Sequence, residues 1–156
     1  MQLYLLRHAI AEQKSASGRD VDRSLTPLGI AALRDVMERA WVAACKPEVI
    51  ISSPYLRAIQ TARIAADSLG YSGDLLESSA LRPEGSPTDL WEEARSQAPA
   101  EEVLLVAHEP LLSAALSWML GETQVVTAFG PGTLVRIDVE TLGSRPRAAF
   151  KWKLEA

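Results

Sequence analysis

The chain has 156 residues, 47% of them hydrophobic and 23% charged, with a formal net charge of −4. That length and composition suit one soluble globular domain, spanning residues 1–156, that can bury a full core. With no basic stretch to offset the negative charge, a dedicated nucleic-acid binder is not expected. No segment approaches the roughly 20 apolar residues of a membrane span. The N-terminus has no basic region ahead of an apolar one, so no signal peptide is expected and the protein is placed in the cytoplasm. The one cysteine, Cys45, ends an apolar helical pattern and reads as a packed thiol.

Gln2–Leu6 reads as a buried strand, and Arg7-His8 follow it. The polar stretch from Ala9 to Ser24 is long for a connection in a compact domain, and such loops tend to be functional or mobile. Thr26-Pro27 predicts a helix start, with threonine as N-cap and proline at N1. Leu33, Val36 or Met37, Ala40 or Trp41, and Ala44 recur at helical spacing, and Pro47 is expected to end the helix. Val49-Ile50-Ile51 predicts a second strand. Ser53-Pro54 repeats the cap-and-proline signal, and the helix it opens should run to about Leu69, with Gly70 just beyond.

Asp74–Leu76 predicts a short third strand, and Ser86-Pro87 a third helix with Asp89 at N3. Val103–Ala107 is a strongly apolar strand closed by His108. A nearly all-round apolar helix follows from Pro110 to Leu120 and should be well covered. Toward the C-terminus, Ala148, Phe150, Trp152 and Leu154 alternate with Ala149, Lys151 and Lys153. This period of two predicts a strand with one buried face and a lysine-bearing edge. The alternation of strands and helices predicts an α/β protein, a three-layer α/β/α sandwich. Its sheet should be mostly parallel, with an antiparallel C-terminal strand pair.

The chemistry lies at the expected carboxyl ends of the strands, where parallel sheets bind ligands. The first strand delivers Arg7 and His8. The second delivers Ser52, Ser53 and, on the next helix, Arg57. The later strand delivers His108, 100 positions after His8 (108 − 8). Singly, each has an ordinary structural reading: strand-end surface residues, an ion-pair partner, a capping histidine. Together they place two guanidinium forks, two imidazoles and a helix N-terminus on one edge. Arginine matches phosphate oxygens bidentately, and a neutral imidazole is a nucleophile. The implied reaction is phosphoryl transfer. With no cysteine and no His-x-x-x-His spacing beside the histidines, a metal site is not expected.

Four segments carry a family resemblance. They are Leu5-Leu6-Arg7-His8, Leu25-Thr26-Pro27-Leu28-Gly29, the run from Ser52 to Ala62 with Arg57 at its centre, and Val106-Ala107-His108-Glu109-Pro110. In this order they resemble the histidine phosphatase, or phosphoglycerate mutase-like, superfamily. The resemblance implies that His8 attacks phosphorus to form a phosphohistidine. Arg7, Arg57 and His108 would bind the phosphoryl oxygens, and water would release phosphate without a metal or other cofactor. It implies a phosphorylated protein or a small phosphorylated molecule as partner, and no nucleic acid or membrane. His108 would serve as a donor, His8 as the neutral attacker.

Two departures stand out. Ala9 replaces the family's usual glycine after the nucleophile, and an ordinary backbone conformation is expected there. Pro83 stands where larger members carry an acid, leaving Glu12, Glu84 and Glu109 as carboxylates to consider. Only 51 positions separate Arg57 from His108 (108 − 57), too few for the helical insertion of larger members. These features resemble the SixA-type phosphohistidine phosphatases and imply an open, shallow site. A phosphatase of small phosphate esters, or a non-catalytic phosphate-binding module, are the alternatives.

Overall fold

A computed structural model describes all residues, Met1–Ala156. Its strands are β1 (Gln2–Arg7), β2 (Val49–Ser52), β3 (Leu75–Glu77), β4 (Glu102–Ala107), β5 (Leu134–Thr141) and β6 (Arg147–Leu154). Its helices are α1 (Pro27–Val42), α2 (Leu56–Ser68), α3 (Pro87–Arg95) and α4 (Leu111–Met119). The strands form one sheet in the order β3-β2-β4-β1-β5-β6. The first four are mutually parallel, and β5 and β6 add the antiparallel pair.

Side-chain alternation along the central strands divides the core in two. Leu3, Leu5, Val103 and Leu105 face α3 and α4, where Leu90, Trp91, Leu112 and Leu116 pack on them. Tyr4, Leu6, Leu104 and Val106 face α1 and α2, against Leu33, Val36, Met37 and Ala62. A strand buried on both faces has no polar side to show, which is why β1 and β4 read as unbroken apolar runs. β1 leaves through α1 on one face toward β2, whereas its neighbour β4 leaves through α4 on the other toward β5. That reversal opens a crevice beyond the carboxyl ends of β1 and β4. Arg7 pairs in register with Ala107, so His8 and His108 step off the sheet side by side.

Three local expectations need correction. α1 stops at Val42, well before Pro47, because Ala44 takes a left-handed conformation (φ 60°) and Cys45 N–H reaches back to Ala40 O. Glycine normally holds that place and would have signalled it. Ala44 is therefore exposed and the buried stripe ends at Ala40, which takes the buried place in preference to the exposed Trp41. α2 begins at Leu56, not at Ser53-Pro54, and Ser53 caps nothing in it. In β6 the register skips Lys151: Arg136 pairs with Trp152, and Ile137 with Phe150. This bulge turns the strand over. Trp152 and Leu154 then pack on the Tyr4 side and Ala148 on the other, while Phe150 is 44% exposed. Cys45 is buried and free, as expected, its thiol pushed up to about 12 mainly by burial. No helix is long and apolar enough to cross a membrane.

Candidate active site

Three strand ends and one helix turn bring Arg7, His8, Arg57 and His108 together. The His8 and His108 rings lie 5.1 Å apart between centroids. Arg57, in the first turn of α2, donates through Nε to His8 Nε2 at 3.4 Å. Its guanidinium lies 4.9 Å from the centre of the Tyr55 ring, and Tyr55 packs edge-on against His108. Arg7 donates through Nη1 to Phe129 O at 2.7 Å, and its buried Nε has no protein partner. Gly132 N–H donates to both Arg7 O and His8 O, fixing the β1 end from the β5 side.

The hydrogen bonds decide which nitrogen of His8 is free. Nδ1 lies 2.8 Å from Ala9 O, and a carbonyl only accepts, so Nδ1 carries the proton. Nε2 is left with its lone pair directed at Arg57. Burial, with Arg57 and Arg7 nearby, pushes the His8 ring down to about 4. Burial and the facing His8 push His108 down to about 3. Both shifts favour neutral rings at pH 7 in the unliganded protein. His108 Nε2 is 2.8 Å from Ser53 Oγ, and its Nδ1 is buried without a partner.

Thr61 and Asp20 are parts of the site that sequence reasoning did not assign, and Ser53, placed on the sheet edge, was given no role there. Thr61 Oγ1 accepts from Ala9 N–H at 3.1 Å and donates to Arg57 O at 2.7 Å. Asp20 accepts from Arg57 twice, through its main-chain oxygen at 2.9 Å and Oδ2 at 3.2 Å. A hydrogen bond from Arg23, and then Arg57, hold its carboxyl below the usual range. The only sequence signal for Asp20 was the unusual length of the loop that bears it. Thr61 stood inside the Ser52–Ala62 motif without a role, and Ser53 was masked by its resemblance to a cap.

Ala9 has an ordinary backbone conformation, as expected. Of the three carboxylates considered as acids, Glu109 lies close enough to Arg7 for its charge to act on that guanidinium, and Glu12 and Glu84 are exposed. Glu109 accepts from Ser113 N–H at 2.9 Å at the start of α4. Glu12 accepts from Ser24 N–H at 3.4 Å within the loop, and Glu84 is an exposed side chain. Only β3 and α3, with a 3-10 turn at Ser79–Leu81, lie between α2 and β4, so no helical insertion covers the crevice. The site is nonetheless not open. His8 is 8% exposed, Arg57 5% and His108 2%, because the Asp20 loop lies against Arg57.

Fold and side chains together define an α/β protein with two imidazoles and two guanidiniums gathered at a sheet's switch point, an arrangement suited to a phosphoryl group. Residues 3–82 match the histidine phosphatase superfamily (branch 1), and the chain belongs to that superfamily. An uncharacterized protein of Picosynechococcus sp. is 35% identical over 131 residues, covering 83% of this chain and 74% of that one. Among solved structures, the protein histidine phosphatase SixA complexed with tungstate superposes with a TM-score of 0.89 at 21% identity, over 99% of this chain and 97% of that one. A putative phosphohistidine phosphatase SixA from Agrobacterium tumefaciens gives 0.85 at 24% identity, over 99% and 97%. A mycobacterial glucosyl-3-phosphoglycerate phosphatase gives 0.72 at 16% identity, over 99% of both chains.

Proposed function

We propose that this phosphatase removes phosphate from phosphohistidine on a protein, through a covalent intermediate on His8. The observation that carries the reading is the Nδ1–H to Ala9 O bond, which presents the Nε2 lone pair of a neutral ring beside Arg57. Nε2 attacks phosphorus as the bond to the leaving group breaks. Arg57 and Arg7 supply fixed cationic donors for the equatorial oxygens, where charge stabilisation is worth most. His108 stands across from His8 as a further imidazole at the phosphoryl group. Water then attacks the phosphorus of phospho-His8, releasing phosphate and regenerating the ring. No metal enters this sequence.

The substrate class follows from the leaving group. An alkyl ester leaves as an alkoxide and depends on a general acid. Glu109 is tied to the main-chain N–H groups of Ser113 and Phe129, and Glu12 and Glu84 are exposed side chains. Phosphohistidine leaves as imidazole, whose conjugate acid has a pKa near 6.5, and needs no strong fixed acid. The short span between α2 and β4 also leaves room for a protein to approach. The test compares kcat/KM on a phosphohistidine peptide and on an alkyl phosphate. The peptide should be the better substrate, and acid-quenched enzyme should carry label that His8→Ala abolishes. Preference for the alkyl ester would point instead to a small-molecule phosphatase, and absence of any label or turnover to a binding module.

A further inference from the structure

Arg57 holds a carboxylate as well as His8, and that carboxylate comes from the loop between β1 and α1. Arg57 donates through Nε to His8 Nε2 at 3.4 Å and through Nη2 to Asp20 Oδ2 at 3.2 Å. A guanidinium presents its N–H groups in a rigid planar fork. The Asp20 carboxylate and the Nε2 lone pair are therefore held in a fixed relation by one side chain. Arg57 does not depend on that carboxylate for its position. Asp20 main-chain oxygen accepts from Nη1 at 2.9 Å, and the Tyr55 ring supports the guanidinium from 4.9 Å. The exposures differ sharply: the Arg57 side chain is 6% exposed and that of Asp20 56%. Arg23 holds the second oxygen, Oδ1, at 2.9 Å. Two arginines thus keep a negative charge at the rim of the site, open to whatever arrives with the phosphoryl group.

Leaving groups differ in charge. Protonated on the ring nitrogen remote from phosphorus, phosphohistidine carries a cationic ring next to the bond that breaks. An aryl or alkyl phosphate instead develops negative charge on the departing oxygen. A fixed carboxylate favours the binding of the first, cationic substrate and opposes the negative charge that develops on the second. Resting on the reading of His8 as the phosphoryl acceptor, we propose that Asp20 is a specificity-determining residue that accepts a hydrogen bond from the remote N–H of the substrate's cationic, phosphorylated ring. The His8 Nε2 lone pair forms the new bond to phosphorus. The P–N bond to the substrate ring breaks, and its electron pair stays on that nitrogen. The remote nitrogen keeps its proton, so the product is neutral imidazole still facing Asp20. Asp20 transfers no proton. Water later bonds to phosphorus, the P–Nε2 pair returns to His8, and the surplus water proton passes to solvent.

The experiment measures kcat/KM of the wild-type chain and of Asp20→Asn on a phosphohistidine peptide and on para-nitrophenyl phosphate. Losing one charge-assisted hydrogen bond should lower the first by about tenfold or more. The second should rise, so the two substrates move in opposite directions. Tungstate binding to the variant checks that Arg57 still stands in place. A parallel fall on both substrates overturns the proposal in favour of a positioning or proton-donating Asp20. A parallel rise overturns it in favour of a mere competitor for Arg57. Wild-type turnover of the peptide with an unchanged ratio in the variant overturns the role of Asp20 alone. A wild type inactive on the peptide overturns the proposed function as well.

Discussion

Thr61 holds two parts of the site with one hydroxyl. It receives Ala9 N–H and gives its proton to Arg57 O, so the loop that fixes the His8 tautomer and the turn that carries Arg57 share a buried tie. Thr61→Val keeps the shape and removes the tie. The buried Ala9 N–H then lacks a partner, which costs about 1–3 kcal/mol. Because Ala9 O is the acceptor that directs Nε2, displacement there reaches His8. The expected loss in kcat/KM is about tenfold or more. Thr61→Ser retains the hydroxyl and should recover most of the activity. A folded Thr61→Val enzyme within twofold of wild type would show that the two segments are held by other means.

At the scale of elements, Gly29 decides how α1 meets the loop after His8. A Cβ built there would lie 2.3 Å from Ile10 O and 3.0 Å from Ile10 Cβ. Ile10 O is itself engaged by Thr26 N–H, and Thr26 Oγ1 caps α1 through Gly29 N–H. The segment Leu25-Thr26-Pro27-Leu28-Gly29 is thus a helix start that doubles as the seat of the loop after His8. Two effects compete in Gly29→Ala. Helix propensity favours alanine by about 1 kcal/mol, while overpacking against main chain costs about 1–3 kcal/mol. The clash is with backbone that cannot swing aside, so urea unfolding should show net destabilisation, accompanied by reduced turnover. A stabilised, fully active variant would mean that the loop yields freely. Thr26→Ala should cost about 1 kcal/mol with little change in activity.

The bulge in β6 makes a second element-scale contrast. Phe150 lies on a face the protein leaves open, whereas Trp152 packs near Tyr4, with ring centroids 5.9 Å apart. Phe150→Ser should change stability by less than about 0.5 kcal/mol, and Trp152→Ala should cost about 2 kcal/mol or more. Comparable losses in urea melts would place Phe150 inside the core after all.

Legibility of the sequence followed the same division between local and long-range causes. The Thr26 and Ser86 caps, the apolar runs of β1 and β4, and the mostly parallel sheet were all readable, because period and cap chemistry are local. The end of α1, the bulge at Lys151 and the true partner of Ser53 were not. Ala44 carries no mark of a left-handed turn, a bulge leaves the alternation in sequence intact, and Ser53 turns from cap to His108 partner only once β2 and β4 are adjacent. For the site, the four side chains on the sheet edge were legible. Asp20 and Thr61 were not, since their meaning arises only from folding a loop onto α2.

For the whole molecule, the two buried rings link function to stability. Gathering His8 and His108 under the loop holds both neutral, at about 4 and about 3 respectively, whereas an unfolded histidine titrates near 6.5. Below about pH 6.5 the unfolded chain therefore binds protons that the folded chain does not, and stability falls as pH falls toward 4. Each ring contributes a slope of up to about 1.4 kcal/mol per pH unit in that window. Between pH 7.5 and pH 5.0 urea unfolding should show a loss on the order of 3 kcal/mol. The double variant His8→Asn, His108→Asn has no such groups and should lose much less. Tungstate opposes the effect, because a dianion between the rings favours their charged forms and binds the folded state alone. Saturating tungstate should therefore stabilise the wild type more at pH 5.0 than at pH 7.5. A wild-type midpoint unchanged across that range would mean that the rings gain their protons without unfolding, and that the loop over Arg57 opens to let them.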